Sequence, residues 1–215
     1  MTRRFWRAAA VDYYDDACHP RTAILRVLSA NLLRSWLAQA TLDSEAPLLD
    51  VGSGRSLGID VTAARIVAVD WSAEMLSPID RSGRVIYLLG DAEQLPVASG
   101  TINVVVASLG GPFNTAAFWS ESRRVLRPGG AAAMTTPSYH WAIADRTPSI
   151  GEDDIDHTAV WEGRGGNRSF TSIVMPDDRQ VEMVESVGFR LRHVDRDRFE
   201  GAPGGEVTLF AFEAA

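Results

Sequence analysis

Apolar and polar positions follow two regimes along this chain. Short continuous apolar runs recur over 47–51, 65–70, 84–89 and 101–108, each closing on or before an aspartate, a glycine or a serine. Elsewhere the apolar residues fall at helical spacing. Ile24, Leu25, Leu28, Leu32, Leu33, Trp36 and Leu37 mark one face of a helix over about 21–40, with Pro20 suited to its first turn. That face reads as a core stripe. Residues 4–17 read as a shorter helix, broken at His19-Pro20. Further helices are expected over 56–63, after Ser72, over 115–126 and over 176–187. The third of these meets Arg127-Pro128-Gly129-Gly130, which ends it, and Ala131 to Thr135 begins a strand. Runs without alternation suit strands buried on both faces. Strands alternating with helices predict an α/β fold with a parallel sheet covered on both sides. At the end, Phe189 to Val194, a Gly204-Gly205 turn and Val207 to Phe212 predict an antiparallel hairpin. One domain over 1–215 is expected, with 1–45 as a helical cap and 137–170 as an inserted cover. Pro137, Pro148, Gly151, Gly163, Gly165 and Gly166 make that cover the least regular stretch.

The candidate chemistry begins where the first run ends, at Leu48-Leu49-Asp50-Val51-Gly52-Ser53-Gly54. Two glycines after a buried strand make a tight turn that brings backbone N–H groups close to a ligand. A second run ends in Asp70, the spacing of a β-α-β unit with an acid at the tip of its second strand. A carboxylate there can accept from both hydroxyls of a ribose. Two nucleotide cofactors suit that arrangement. A dinucleotide fingerprint wants a third glycine where Leu57 stands, and it has no use for Asp50.

Four strings resemble the class I S-adenosylmethionine (SAM)-dependent methyltransferases of the small-molecule type. They are LLDVGSG at Leu48, VDWSAEML at Val69, GDAEQLP at Gly90 and RVLRPGG at Arg124. In the first, Ser56 stands where the family commonly has a third glycine, and Ser56 there would only have to cap a helix. In the fourth strand, Ile102-Asn103 replaces the usual Phe-Asp. The resemblance implies a Rossmann-like sheet with helices on both faces and a C-terminal antiparallel hairpin. It implies SAM as cofactor, touched by Tyr14, Asp50, Gly52, Ser53, Gly54, Asp70, Trp71, Met75, Asp91, Ala92, Glu93 and Ser108. Tyr14 belongs to a Tyr-Asp string in a leading helix that closes over the cofactor in many relatives. Trp71 offers a flat face to adenine, and the Asp91 loop reads its exocyclic amine. The implied activity is methyl transfer to O, N or C of a small molecule, a secondary metabolite or quinone by analogy. The alternative is a SAM-binding protein of the same fold catalysing a rearrangement, decarboxylation or cyclisation. His140 and His157, both in the cover, are the candidate general bases. His19 could approach from the cap, whereas His193 reads as structural. The loop Leu109 to Asn114 is where such enzymes place substrate contacts.

Composition narrows the partners. The net charge is −7, and all 21 basic residues are arginines, so no lysine chemistry is available. No global nucleic-acid footprint is expected from that balance. Cys18 is the only cysteine, which excludes an intrachain disulfide and a thiolate metal cluster. No metal is expected. The acids Glu152, Asp153, Asp154 and Asp156 beside His157 read as a solvated loop before a metal site or a cage for a cation. Arg3-Arg4 opens like a twin-arginine signal, but Tyr13 to Asp16 interrupts the apolar stretch such a signal needs. No run reaches the length of a membrane span. A cytoplasmic protein with a small-molecule substrate and no membrane partner is expected, with a homodimer left open.

Overall fold

The computed structural model describes residues 3–40, 47–55, 65–76, 83–145, 147–148, 156–163, 166–202 and 204–215, with side chains described outside 3–4 and 145–171. Four runs become the parallel strands β1 (Leu48–Val51), β2 (Ile66–Asp70), β3 (Val85–Leu89) and β4 (Ile102–Ala107). The sheet is completed by β5 (Leu126–Pro137), β9 (Phe189–Phe199) and β10 (Gly205–Ala214). Its order is β3-β2-β1-β4-β5-β10-β9. β10 runs antiparallel to both β5 and β9, so the expected hairpin closes the sheet. The central strands are buried throughout, as their unbroken apolar runs require.

Helices cover both faces. α2 (Pro20–Gln39) lays Leu25, Leu28, Leu32, Leu33 and Leu37 onto Val104, Val106, Val207 and Leu209. On the other face α3 (Ala116–Val125) and α5 (Asp177–Ser186) contribute Phe118, Trp119 and Val184 to a core with Leu49, Val105, Phe189 and Phe212. Thr115 caps α3 by accepting from the Phe118 N–H. A buried amide pair ties the start of α3 to α5. Asn114 Nδ2 donates to Gln180 Oε1 at 2.5 Å, and Trp119 Nε1 donates to Asn114 Oδ1 at 3.0 Å.

Three expectations change. The leading helix α1 covers only Arg3–Ala9, and turns follow as far as Cys18. Asp15 explains part of this, because its carboxylate accepts from the Ala17 and Cys18 N–H groups, a local bond that competes with helix. The Arg127-Pro128-Gly129-Gly130 string does not end α3. The helix stops at Val125, and the string forms an irregularity inside β5, where pairing jumps from Ile102–Leu126 to Val104–Ala131. The cover is also more regular than its glycines suggest. It holds α4 (Tyr139–Asp145) and an antiparallel sheet of β6 (Thr147–Pro148), β7 (Asp156–Gly163) and β8 (Gly166–Ile173). Gly163 pairs with Gly166, so the glycines mark a hairpin end. The helix expected over 56–63, with Ser56, lies outside the described residues. After Ser72 the described residues form a turn, in which Met75 N–H donates to Ser72 Oγ at 3.4 Å.

Candidate active site

The carboxyl ends of β1, β2, β3 and β4 surround a cavity of about 790 Å³. The first two ends are linked through one side chain. Asp70 accepts from the Gly54 N–H at 3.0 Å on one oxygen and from the Ser72 N–H at 2.9 Å on the other. The glycine turn after β1 and the turn after β2 are thus fastened to the same carboxylate. Both glycines need their missing side chains. Gly52 has φ +65°, and a Cβ there would come within 2.5 Å of Phe113 Cε1. Gly54 has φ +50°, and a Cβ there would strike the Tyr14 hydroxyl. Burial raises the Asp70 pKa, with the N–H groups of Ser72, Gly54 and Trp71 acting against it.

The strap after α1 reaches into this region. Tyr14 Oη accepts from the Arg55 N–H at 2.9 Å, and the Arg55 guanidinium lies 4.3 Å above the Tyr14 ring. Arg26 of α2 sits 5.3 Å from the Tyr13 and Tyr14 ring centres and donates to the Tyr13 carbonyl at 2.7 Å. It also pairs with Asp16 at 2.5 Å. Burial pushes the Tyr14 phenol well above its usual range, with Tyr13 adding to the rise, so the hydroxyl stays protonated.

Most of the residues expected at the cofactor meet here. Tyr14, Gly52, Ser53, Asp70, Trp71, Met75, Asp91, Ala92, Glu93 and Ser108 line the cavity. Asp50 and Gly54 do not. Asp50 is buried within β1, and Gly54 faces Asp70. Pro112 and Phe113, from the loop expected to meet substrate, also line it. His140 is exposed on α4, 5.5 Å from the Tyr139 ring, and is outside the lining. His157 falls in β7, with its side chain outside the described set. His19 is buried 3.3 Å from Asp12 and is likewise outside the lining. Among the described residues no group of His, Cys, Asp and Glu could hold a metal. Glu152, Asp153 and Asp154 lie outside the described residues, as does the Asp156 side chain.

The sequence reading missed the wall that α2 supplies. Ala23, Arg26, Val27, Ala30, Asn31 and Arg34 line the cavity, beside the leucine stripe that packs on the sheet. The available signal was the spacing of Arg26, Ala30 and Arg34, four residues apart on a second helix face.

A glycine turn after β1, an acid ending β2 and ligand space at the carboxyl edge define a nucleotide-binding Rossmann-like enzyme fold. Comparison narrows this. Residues 49–134 match the family model for a methyltransferase domain. A Mycolicibacterium smegmatis protein named "Probable S-adenosylmethionine-dependent methyltransferase" is 31% identical over 97 residues, 42% of this chain and 38% of that protein. The chain therefore matches less than half of that relative's length. An S-adenosylmethionine-dependent methyltransferase from Mesorhizobium loti superposes with a TM-score of 0.61 at 15% identity, covering 86% of this chain and 99% of that one. The 1,6-didemethyltoxoflavin-N1-methyltransferase of Burkholderia thailandensis, solved with 1,6-didemethyltoxoflavin and S-adenosylhomocysteine (SAH), gives 0.62 at 17% identity, covering 99% of this chain and 87% of that one. Over residues 49–134 the chain is thus similar to SAM-dependent methyltransferases, and it shares their fold. Among the described residues no helix is long and apolar enough to cross a membrane.

Proposed function

We propose that this chain transfers the methyl group of SAM to an oxygen, nitrogen or carbon of a small organic molecule, with both ligands in the one cavity. The observation that carries this is the extent of that cavity. At about 790 Å³ it lies high in the range of roughly 300–1,000 Å³ for small-ligand sites, and it runs from the strand ends to α2. The donor set suits the cofactor. Ser53 Oγ is buried, lines the cavity and has no hydrogen-bond partner among the described residues. Each Asp70 oxygen keeps a lone pair for a ribose hydroxyl after its backbone bond. In this reading Trp71 and Met75 flank the adenine, and Asp91 with the Ala92 backbone reads its amine. Gly52, Ser53, Tyr14 and Glu93 complete the site. Asp50 and Gly54 support it from outside the lining.

SAM supplies a methyl on a positively charged sulfur, open to in-line displacement by an acceptor lone pair as the bonding electrons pass to sulfur. The protein's part is to hold the acceptor atom in line and exclude water. The α2 wall and the Pro112-Phe113 turn border the space for that acceptor. An acceptor that must lose a proton needs a base. His140 and His157 are the candidates, His140 on α4 outside the lining and His157 in β7. Secondary metabolites and quinones are the acceptors to test first.

Mass spectrometry of incubations with SAM and such acceptors decides the reaction. Methylated product and SAH in equal amounts support transfer. A converted acceptor without SAH would instead favour the rearrangement, decarboxylation or cyclisation reading. One variant tests the strap. Tyr14 Oη already accepts from Arg55, so its proton is available to a ligand. Tyr14→Phe is expected to weaken SAH binding about tenfold in calorimetry, the loss of one buried hydrogen bond.

A further inference from the structure

Leu109 has φ +51°, the only non-glycine residue with positive φ among those described. It lies two residues past the end of β4 and lines the cavity. Backbone held in that region needs support from its surroundings. Thr135 of β5 provides it twice. Its Oγ1 accepts from the Leu109 N–H at 2.9 Å, and its carbonyl accepts from the Gly110 N–H at 2.9 Å. The bend carries Ser108 at its edge, with its side chain half-buried against the cavity.

Three hydroxyls join there. Ser29 Oγ of α2 lies 2.7 Å from Thr135 Oγ1 and 2.6 Å from Ser108 Oγ. Ser29 and Thr135 are fully buried. A hydroxyl has one proton to give and two lone pairs to receive. Thr135 Oγ1 already receives the Leu109 N–H. If Ser29 also donated to it, the Thr135 proton would be buried without an acceptor, since Ser29 and the Leu109 N–H are its hydrogen-bond partners among the described residues. If Ser108 and Thr135 both donated to Ser29, the Ser29 proton would be stranded in the same way. An unsatisfied buried donor is costly. One direction leaves none: Thr135 donates to Ser29, and Ser29 donates to Ser108. The Ser108 proton is then the end of the chain and turns to the cavity.

We infer that Ser108 is a hydrogen-bond donor fixed in direction by Ser29 and Thr135, and that it holds an anionic or carbonyl oxygen of a bound ligand. A chain of hydroxyls pointing one way strengthens the last donor. Such a donor discriminates against an ammonium group, which would need an acceptor in that place. Assigning the ligand rests on the reading of the cavity as a joint cofactor and acceptor site. The oxygen comes either from the carboxylate of the cofactor's amino-acid end or from the methyl acceptor.

Calorimetry separates the two. SAH and its decarboxylated amine analogue are titrated into the wild type, Ser108→Ala, Ser108→Thr and Ser29→Ala. Benzoate and benzylamine are titrated into the same proteins, with and without SAH. Ser108→Ala is expected to weaken at least one carboxylate probe about ten- to a hundredfold and to leave its amine counterpart unchanged. A loss for SAH alone assigns the oxygen to the cofactor, and a loss for benzoate assigns it to the acceptor. Ser108→Thr keeps a donor and should retain binding. Ser29→Ala leaves Ser108 free to turn and should produce a smaller loss of the same selectivity. Unchanged carboxylate binding in Ser108→Ala, equal losses for carboxylate and amine, or no carboxylate binding to the wild type would overturn the inference. If SAH fails to bind the wild type while benzoate shows the Ser108 dependence, the methyltransferase reading fails and the hydroxyl assignment stands.

Discussion

Asp70→Ala is expected to lower SAH affinity by about a hundredfold or more. Two ribose hydroxyls would lose a charged acceptor, each such bond contributing about 1.5–3 kcal/mol. The variant also removes the acceptor of the Gly54 and Ser72 N–H groups, which fastens the turns after β1 and β2 together. Lower stability should accompany the lost affinity, so calorimetry must be paired with a urea melt. The pH dependence separates the two effects. Burial raises the Asp70 pKa in the free protein, so the folded chain holds this proton more tightly than the unfolded one. The contribution of Asp70 to stability is then greatest below the ordinary carboxylate value and falls as the pH rises through the window up to the raised one. In the proposed site ligand binding should run the opposite way, because ribose hydroxyls would donate to the ionised form. SAH affinity should fall as the pH drops through the raised pKa, and Asp70→Asn should flatten that fall. An Asp70→Asn protein that keeps wild-type affinity across the range would remove Asp70 from the nucleotide site.

Trp119→Ala is expected to cost about 3–5 kcal/mol of stability, the usual range for truncating a buried aromatic. Trp119 is fully buried, and its ring centre lies 5.2 Å from Phe118, 5.6 Å from Phe189 and 5.2 Å from Phe212. It therefore joins α3 to both strands of the terminal hairpin. Its indole N–H also donates to Asn114, which would keep Gln180 as its only donor there. Against a total stability of about 5–15 kcal/mol for a domain, this is a large share. A urea melt should show the midpoint fall with little change in slope. Trp119→Phe keeps most of the ring packing and should lose about 1–2 kcal/mol. Asn114 follows Phe113, the side chain resting on Gly52. SAH should consequently raise the melting temperature of the alanine variant less than that of the wild type.

The sheet was legible because its signal is local. The runs at Leu48, Ile66, Val85 and Ile102 are short, continuous and β-rich, and each ends on a turn residue. The same holds for the glycine turn and Asp70, whose spacing within one β-α-β unit identifies them. What could not be read depends on contacts between distant segments. Arg26 and Arg34 look like the solvent face of a helix until α2 is set beside the strand ends. Ser29 looks like a polar interruption of a leucine stripe, and only the meeting of α2, β4 and β5 gives it Ser108 and Thr135 as partners. The cover misled for a different reason. Glycines at Gly163 and Gly166 signal a break in either a loop or a hairpin, and the strands beside them are too short of apolar alternation to decide. His140 was chosen by its position in the chain, and it falls on α4 outside the cavity lining.

The edge strand β9 bears on how copies of this chain can associate. Arg190, Arg192, Asp195, Arg196 and Arg198 stand exposed along it, and Arg192 pairs inward with Glu213 of β10. A second strand laid against that edge would have to strip water from a row of charges of both signs. This end of the sheet is thus closed to growth without being covered. Self-association that lengthened the sheet would have to use the opposite edge, β3, where Ile86 and Leu89 stand exposed.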